Sequence, residues 1–293
     1  CGACGVLCGA AGSCVAGDCD DVAVIAAGSD FTCATRANGG AACWGEGGTG
    51  QLGDGMTMSH AVPTQASTPP LVGVGAGLQF ACGLEEFGVP YCWGENSYGQ
   101  MGDGAPSGPR PTPGPVMLTA DPAILLAVGG SHACVVTSVG EAWCWGRGDL
   151  GQMGNGTTTL DNGIPVQATL PAMRTAVGIA AGEFHTCALL DDDTIHCWGN
   201  DLDGQLGTSG APTNSATPVQ TTAAVPSPRS IAAGGGHTCV VNAARRLYCW
   251  GRNGSGQSSG STSPSSIVQP TLVGGAINVT AVGTGKDHTF YLG

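Results

Sequence analysis

The residues from His185 to Gly207 read HTCALLDDDTIHCWGNDLDGQLG, and bring two histidines, two cysteines, three consecutive aspartates and a tryptophan into one short stretch. Those side chains are the ordinary ligands of metals, the ordinary partners in thiol redox chemistry and the ordinary members of a catalytic loop. Each of these uses requires a singular site, assembled once. The stretch is not singular.

Cys-x9-Cys-Trp-Gly occurs five times, as Cys33 with Cys43-Trp44-Gly45, Cys82 with Cys92-Trp93-Gly94, Cys134 with Cys144-Trp145-Gly146, Cys187 with Cys197-Trp198-Gly199 and Cys239 with Cys249-Trp250-Gly251. The first cysteines of successive units lie 49, 52, 53 and 52 residues apart. A period of about 50 residues signals a repeat architecture, and the reactive types must be read as repeat positions first. His132, His185, His237 and His288 each stand two residues before the cysteine or its replacement, while Phe31 and Phe80 fill that place in the first two units. A position that accepts His or Phe is structural, and no unit pairs its histidine with a nucleophile and an acid of its own. The three aspartates fall at a hairpin tip. Asp54, Asp103 and Asn155 follow Gly-Gln-x-Gly turns, where Asp and Asn serve local hydrogen bonding. No calcium-loop pattern is present. No metal, cofactor or catalytic residue is assigned, and the chain does not read as an enzyme. His60 and His196 lie off the repeat pattern. Trp143, also outside it, reads as an exposed ligand contact.

The elements that carry these residues follow from the pattern. Each unit opens with a small-residue run ending in glycine, such as VAVIAAG from Val22 or VGIAAG from Val177. After CWG comes GQLG or GQMG at Gly50, Gly99, Gly151 and Gly204; the fifth unit departs from this with Gly256-Gln257-Ser258-Ser259. A Pro/Ser/Thr-rich loop then leads to a short strand such as TPVQT at Thr217. Four strands per unit predict an all-β fold, a β-propeller of four-stranded blades: five complete repeats and a partial sixth, six or seven blades if closed. The boundaries are residues 1–21 for a Cys-rich segment and 22–293 for the propeller, in units of about 22–71, 72–123, 124–176, 177–229, 230–278 and a partial 279–293.

If paired cysteines face each other across a hairpin, the nine residues between them leave three flanking pairs and a three-residue loop. That loop is Ala37-Asn38-Gly39, Glu86-Phe87-Gly88, Ser138-Val139-Gly140 and Asp191-Asp192-Asp193 in the first four units. The last loop position favours the left-handed region, which suits Gly and is tolerated by Asp. Ala243-Ala244-Arg245 in the fifth unit is expected to be strained or to use another turn. One cross-strand disulfide per unit is predicted, each contributing about 2 to 3 kcal/mol through loop closure. Trp44, Trp93, Trp145, Trp198 and Trp250 are expected to pack between blades, with an aromatic platform for a glycan as the alternative.

Composition narrows the setting. Glycine accounts for 52 of 293 residues and cysteine for 15; Asp and Glu number 21 against 9 Lys and Arg, for a net charge of -12. With no basic cluster beyond Arg245-Arg246, nucleic acid and anionic membrane are disfavoured as partners. No apolar run is long enough for a transmembrane segment. The cysteine content points to an oxidising compartment, so the chain reads as secreted, extracellular or at the cell surface.

The combination of glycine-ended strand, HTC, HAC, FTC or FAC start, CWG strand and GQLG turn resembles the repeat of the regulator of chromosome condensation family, from Val22 onward. The resemblance implies a β-propeller, usually of seven blades, and the cysteine-paired form resembles exported bacterial proteins, those of myxobacteria in particular. The founding member of that family exchanges guanine nucleotide on a nuclear GTPase and docks on nucleosomes, and a secreted propeller of similar type inhibits β-lactamases. The loops that carry those activities have no match here, and an acidic, disulfide-rich chain does not fit a nucleus, so nucleotide exchange is disfavoured.

Two places break the pattern. CGACGVLCGAAGSCVAGDC, with Cys1, Cys4, Cys8, Cys14 and Cys19, resembles a Cys-Gly-x-Cys-Gly-x-x-Cys module of exported myxobacterial proteins. Its odd cysteine count leaves one sulfur for another chain or an upstream partner, with zinc, redox and lipidated-Cys1 readings as minor alternatives. At the other end, VTAVGTGKDHTFYLG from Val279 supplies the opening half of a sixth unit, with Phe290 where the cysteine stands elsewhere. The N-terminal segment, a continuing chain or a neighbouring molecule would complete that blade, the last of these building an assembly or filament. The expected function is a structural or protein-interaction module, its partner a protein, copies of itself included; the alternative is a propeller that binds a protein or glycan or inhibits an enzyme. Asn155, Asn253 and Asn278 fit the N-glycosylation acceptor pattern.

Overall fold

The computed structural model of the chain describes residues 13–15, 18–20, 22–104, 106–210 and 213–293. A short hairpin, β1 (Ser13–Val15) with β2 (Asp18–Asp20), precedes the repeats. Blade one is β3 (Val22–Ala27), β4 (Phe31–Arg36), β5 (Ala41–Gly45) and β6 (His60–Gln65). Blade two is β7 (Leu71–Ala76), β8 (Phe80–Glu85), β9 (Pro90–Gly94) and β10 (Arg110–Pro115). Blade three is β11 (Ala123–Val128), β12 (His132–Thr137), β13 (Ala142–Arg147) and β14 (Asp161–Gln167). Blade four is β15 (Ala176–Ala181), β16 (His185–Leu190), β17 (Ile195–Gly199) and β18 (Ser215–Gln220). Blade five is β19 (Pro228–Ala233), β20 (His237–Asn242), β21 (Leu247–Arg252) and β22 (Ser266–Leu272). A two-stranded half-blade, β23 (Ala281–Thr284) with β24 (Thr289–Leu292), follows.

Each complete blade is an antiparallel meander in sequence order. The first strands of neighbouring blades contact one another from β3 through to β23, so they are innermost and the fourth strands form the rim. The five hydrophobic clusters follow from this arrangement, because each draws on two neighbouring sheets. Phe31, Cys33 and Leu52 of blade one pack with Leu71, Val74 and Trp93 of blade two, and the same set recurs along the arc. Sheets bury both faces against neighbours, as propeller blades must.

Local backbone chemistry fixes the hairpins. Gly39, Gly88 and Gly140 close the strand-two to strand-three turns at φ of 84°, 87° and 83°, and Asp193 does so at 64°. Arg245 takes the same conformation at φ 57°, and Asn242 and Arg246 pair across the loop as their counterparts do. The fifth unit therefore keeps the turn and places a side chain in the left-handed region. Its other departure, Gly256-Gln257-Ser258-Ser259, is a turn one residue longer: the Gly260 N–H donates to the Gly256 carbonyl and Gly260 adopts φ 74°, the role played by Gly207 one blade earlier.

Candidate functional site

The register places Cys33 opposite Cys43, Cys82 opposite Cys92, Cys134 opposite Cys144, Cys187 opposite Cys197 and Cys239 opposite Cys249. All five pairs are disulfides with Cα separations of 4.0 to 4.1 Å, and all ten cysteines are fully buried. Cys1, Cys4 and Cys8, and the side chains of Cys14 and Cys19, lie outside the described residues.

The tryptophans of the CWG strands reach back to the preceding blade. The indole N–H groups of Trp93, Trp145, Trp198 and Trp250 donate to the main-chain carbonyls of Gln51, Gln100, Gln152 and Gln205 at 2.7 to 2.9 Å. Each ring lies against the second glycine of that turn: a Cβ on Gly53, Gly102, Gly154 or Gly207 would sit within about 3 Å of the indole. All four rings are fully buried, each contributing about 4 to 6 kcal/mol of transfer free energy before conformational entropy. Trp44, with no preceding blade among the described residues, is partly exposed.

The repeat histidines reach forward. Nε2 of His132, His185 and His237 lies 2.8 to 2.9 Å from the hydroxyl oxygen of Thr186, Thr238 and Thr289 on the next blade. Those hydroxyls donate in turn to the carbonyls of Gln152, Gln205 and Gln257. With the threonine proton so used, Nε2–H must be the donor, and each buried Nδ1, which has no partner, is the bare acceptor of a neutral ring. Burial lowers the pKa of His132 to about 4, of His185 to about 3 and of His237 to about 4. The rings lie on the glycine that ends each small-residue run; a Cβ on Gly129, Gly182 or Gly234 would come within 2.3 to 2.5 Å of a ring carbon.

Phe31 and Phe80 follow the same geometry with other chemistry, because Ala81 and Ala133 stand in the following blade where Thr186, Thr238 and Thr289 stand later. Phe faces Ala and His faces Thr. His288 is exposed at one end of the arc, and Thr32, preceded by no described blade, is partly exposed at the other.

Several residues fall elsewhere than their sequence suggests. Trp143 and His196 share one strand-three position with Ala42, Tyr91 and Tyr248, so neither is off the repeat. Trp143 is only partly exposed, packs between blades two and three, and donates to Glu141 at 2.9 Å, which makes it a packing residue. His60 lies 3.0 Å from Asp54, at the start of a rim strand. Asn253 is fully buried with its amide donating to Ser259, Ser261 and Pro264, so the folded chain offers no acceptor nitrogen there, whereas Asn155 is partly exposed and Asn278 exposed. Sequence reasoning missed the role Asn253 shares with Asn96 and Asp201: each side chain accepts from the backbone N–H five residues on, at Ser258, Met101 and Leu206. Their common place, two residues after the CWG glycine, was the signal. Arg147 was also missed. It pairs with Asp149 and lies over the rings of Tyr98 and Phe184, tying three blades together.

Among the described residues, no group of three or more His, Cys, Asp or Glu is placed to hold a metal ion, and no helix is long and apolar enough to cross a membrane. Exposed apolar side chains are a different matter. A bulge in the first strand of each complete blade turns one extra residue outward, and at Val72, Ile124 and Val177 that residue is 55 to 58% exposed on the innermost strands of adjacent blades. Phe87 and Val139 project from neighbouring hairpin tips, and Phe290, Tyr291 and Leu292 are exposed on the half-blade.

These contacts define a repeat β-propeller in which His132, His185, His237 and the tryptophans Trp93, Trp145, Trp198 and Trp250 join blade to blade. The profile of the regulator of chromosome condensation (RCC1) repeat matches residues 88–136, 139–189 and 192–241, and a second profile of that repeat matches 124–152, 176–205 and 229–257; the chain belongs to this family. It is 30% identical over 243 residues to the ultraviolet-B receptor UVR8 of Arabidopsis thaliana, covering 80% of this chain and 54% of the receptor. It is 30% identical over 174 residues to the probable E3 ubiquitin-protein ligase HERC6 of Homo sapiens, covering 57% of this chain and 17% of the ligase. The chain thus spans about half or less of the length of these curated relatives. Among solved structures, human WBSCR16 superposes with a TM-score of 0.81 at 19% identity, over 92% of this chain and 71% of that one. Yeast RCC1 (Prp20), solved bound to Kap60, superposes with a TM-score of 0.79 at 22% identity, over 92% and 65%. These two likenesses concern the fold.

Proposed function

We propose that this chain is an exported, non-enzymatic propeller that acts by binding protein, copies of itself included. One observation carries the reading: the repeat cysteines, His132, His185, His237 and four of the five CWG tryptophans are buried, while the surface offers apolar side chains on the innermost strands and at the half-blade. Such side chains, exposed on adjacent elements, suit a protein partner. Five buried disulfides support an oxidising, extracellular setting, and the cysteine-paired repeat supports a bacterial exported source. Self-association is supported by the exposed apolar side chains Phe290, Tyr291 and Leu292 on the half-blade.

Size-exclusion chromatography with light scattering over a hundredfold dilution tests the self-association. Reversible species larger than one chain are expected, and a discrete monomer throughout overturns it. A second reading, a propeller that takes a loop of a target enzyme against its concave side, is favoured by Val72, Ile124 and Val177. There, Ile124→Asp should abolish target binding with no change in the folded state measured by circular dichroism.

A further inference from the structure

The loop that joins β5 to β6 ends in Asp54-Gly55-Met56-Thr57-Met58-Ser59-His60, and nowhere else does the chain set two methionines and a histidine within five residues. Residues 56, 58 and 60 alternate, the spacing that puts side chains on one side of an extended run, and β6 begins at His60. Both methionines are exposed, Met56 by 55% and Met58 by 61%. Met117 and Met173 are exposed as well, but neither has a histidine or a second methionine within ten residues of it.

Asp54 holds this segment at both ends. Its carboxylate is nearly buried; Oδ1 accepts from the Met56 N–H at 2.9 Å, and Oδ2 lies 3.0 Å from His60 Nε2. Nε2 is buried with no other partner among the described residues, so the ring proton sits beside the carboxylate and the lone pair is left on Nδ1. Nδ1 is open to solvent and bonded to nothing described. A histidine set against a carboxylate through one nitrogen and bare at the other is oriented as metal-binding histidines are. The backbone between is anchored too. The Ser59 hydroxyl accepts from the Gly47 N–H at 3.2 Å and donates to Glu46 at 3.0 Å, and a Cβ on Gly47 would collide with the Met58 carbonyl. The opening does not depend on blade one standing first in the row. Arg110 holds the place of His60 in blade two, with a blade before it, and its side chain is still 38% exposed.

We propose that Met56, Met58 and His60 form a binding site for monovalent copper, with the two thioether sulfurs and His60 Nδ1 as ligands and Asp54 behind the ring. Thioether sulfur selects Cu(I) among the biological metals and imidazole binds it as well, whereas a hard divalent cation takes carboxylates and carbonyls. Such a site needs no third His, Cys, Asp or Glu, because methionine sulfur supplies the remaining ligands. It also suits an oxidising setting, where thiols are consumed in disulfides and thioethers form none. The site is independent of the chain's action as a protein-binding propeller, and either reading can fail alone.

Ag(I), an air-stable stand-in for Cu(I), is the probe in the first arm. It is titrated into the full, unsubstituted chain with any free thiols alkylated and with methionine methyl groups and histidine ring nitrogens isotope-labelled for NMR. The methyl signals of Met56 and Met58 and the Nδ1 signal of His60 should shift together and saturate at one ion per chain, with Met117 and Met173 unmoved. Equal shifts at all four exposed methionines, shifts at Met56 and Met58 without His60, or no shifts at all overturn the proposal. In the second arm, Cu(I) and Cu(II) are each competed against a chelator of known affinity. Met56→Leu with Met58→Leu should weaken Cu(I) binding at least about tenfold and leave Cu(II) binding unchanged. A Cu(I) affinity equal to that of the unsubstituted chain, or equal losses for both oxidation states, overturns it. The first arm uses no variant, so its outcome is free of any effect of substitution on folding.

Discussion

Protonating His185 inside the folded chain would place an N–H on Nδ1, a buried atom with no acceptor within reach. The same holds for His132 and His237, and desolvation pushes all three pKa values down, to about 4, 3 and 4 for His132, His185 and His237. The sign follows from linkage. Below the ordinary histidine pKa of about 6.5 the unfolded chain takes up protons that the folded chain refuses, so stability falls as pH drops from there towards 4, and for His185 towards 3. Each ring costs roughly 3 kcal/mol at the low end of that window. We expect the denaturant midpoint to fall steeply between pH 6.5 and 4, and His185→Phe with Thr238→Ala to flatten the curve. An unchanged midpoint across this range would remove the neutral, buried assignment. Protein stored under mildly acidic conditions should lose the folded state well before its carboxylates are neutralised.

At the scale of the elements, the contact between neighbouring second strands has a simple grammar, Phe to Ala and His to Thr. A double-mutant cycle on His185→Phe and Thr238→Ala should show each single change destabilising by about 1 to 3 kcal/mol, with the pair recovering about 1 kcal/mol or more. Thr238→Ala alone strands the Nε2 donor, while His185→Phe alone crowds a ring against a hydroxyl. Additive costs would show that the two strands do not read each other. The sequence displays this grammar in scrambled form. Within single units the words are Phe-Thr, Phe-Ala, His-Ala and His-Thr, which look uncorrelated; the partners lie one blade apart and align only after a shift of about 50 residues. The disulfides were legible because both cysteines sit in one hairpin, where spacing alone sets the register. The longer fifth turn was not, because its closing glycine moved by one place and the pattern GQSS hides that Gly260 still serves. Trp143 and His196 were misjudged for a related reason: their strand position carries Ala, Tyr, Trp, His and Tyr in successive blades, so no residue type marks it as a repeat position.

Across the whole molecule, burial is greatest in the middle of the arc. The second strands β12, β16 and β20 are buried at every residue, whereas β24 is largely exposed, and the innermost strand of blade one shows Ile25 at 65% exposure. Opening free energies should grade accordingly. Amide hydrogen exchange is expected to be slowest in β12 and β16, with β3 and β23 exchanging at least a hundredfold faster; uniform protection would mean that the ends are covered. The tryptophan contacts add an asymmetry to this gradient. The indole donors of Trp93, Trp145, Trp198 and Trp250 all point back to the blade before, and each accepting carbonyl belongs to that earlier blade. Lifting away the last blade in such a row leaves behind a bare carbonyl and an orphaned histidine Nε2–H, whereas lifting away the first leaves an indole N–H and a threonine hydroxyl without their acceptor. Buried acceptors tolerate loneliness better than buried donors. Each end of such a row therefore exposes donors that need new partners, one on the blade left at the trailing end and two on the blade left at the leading end.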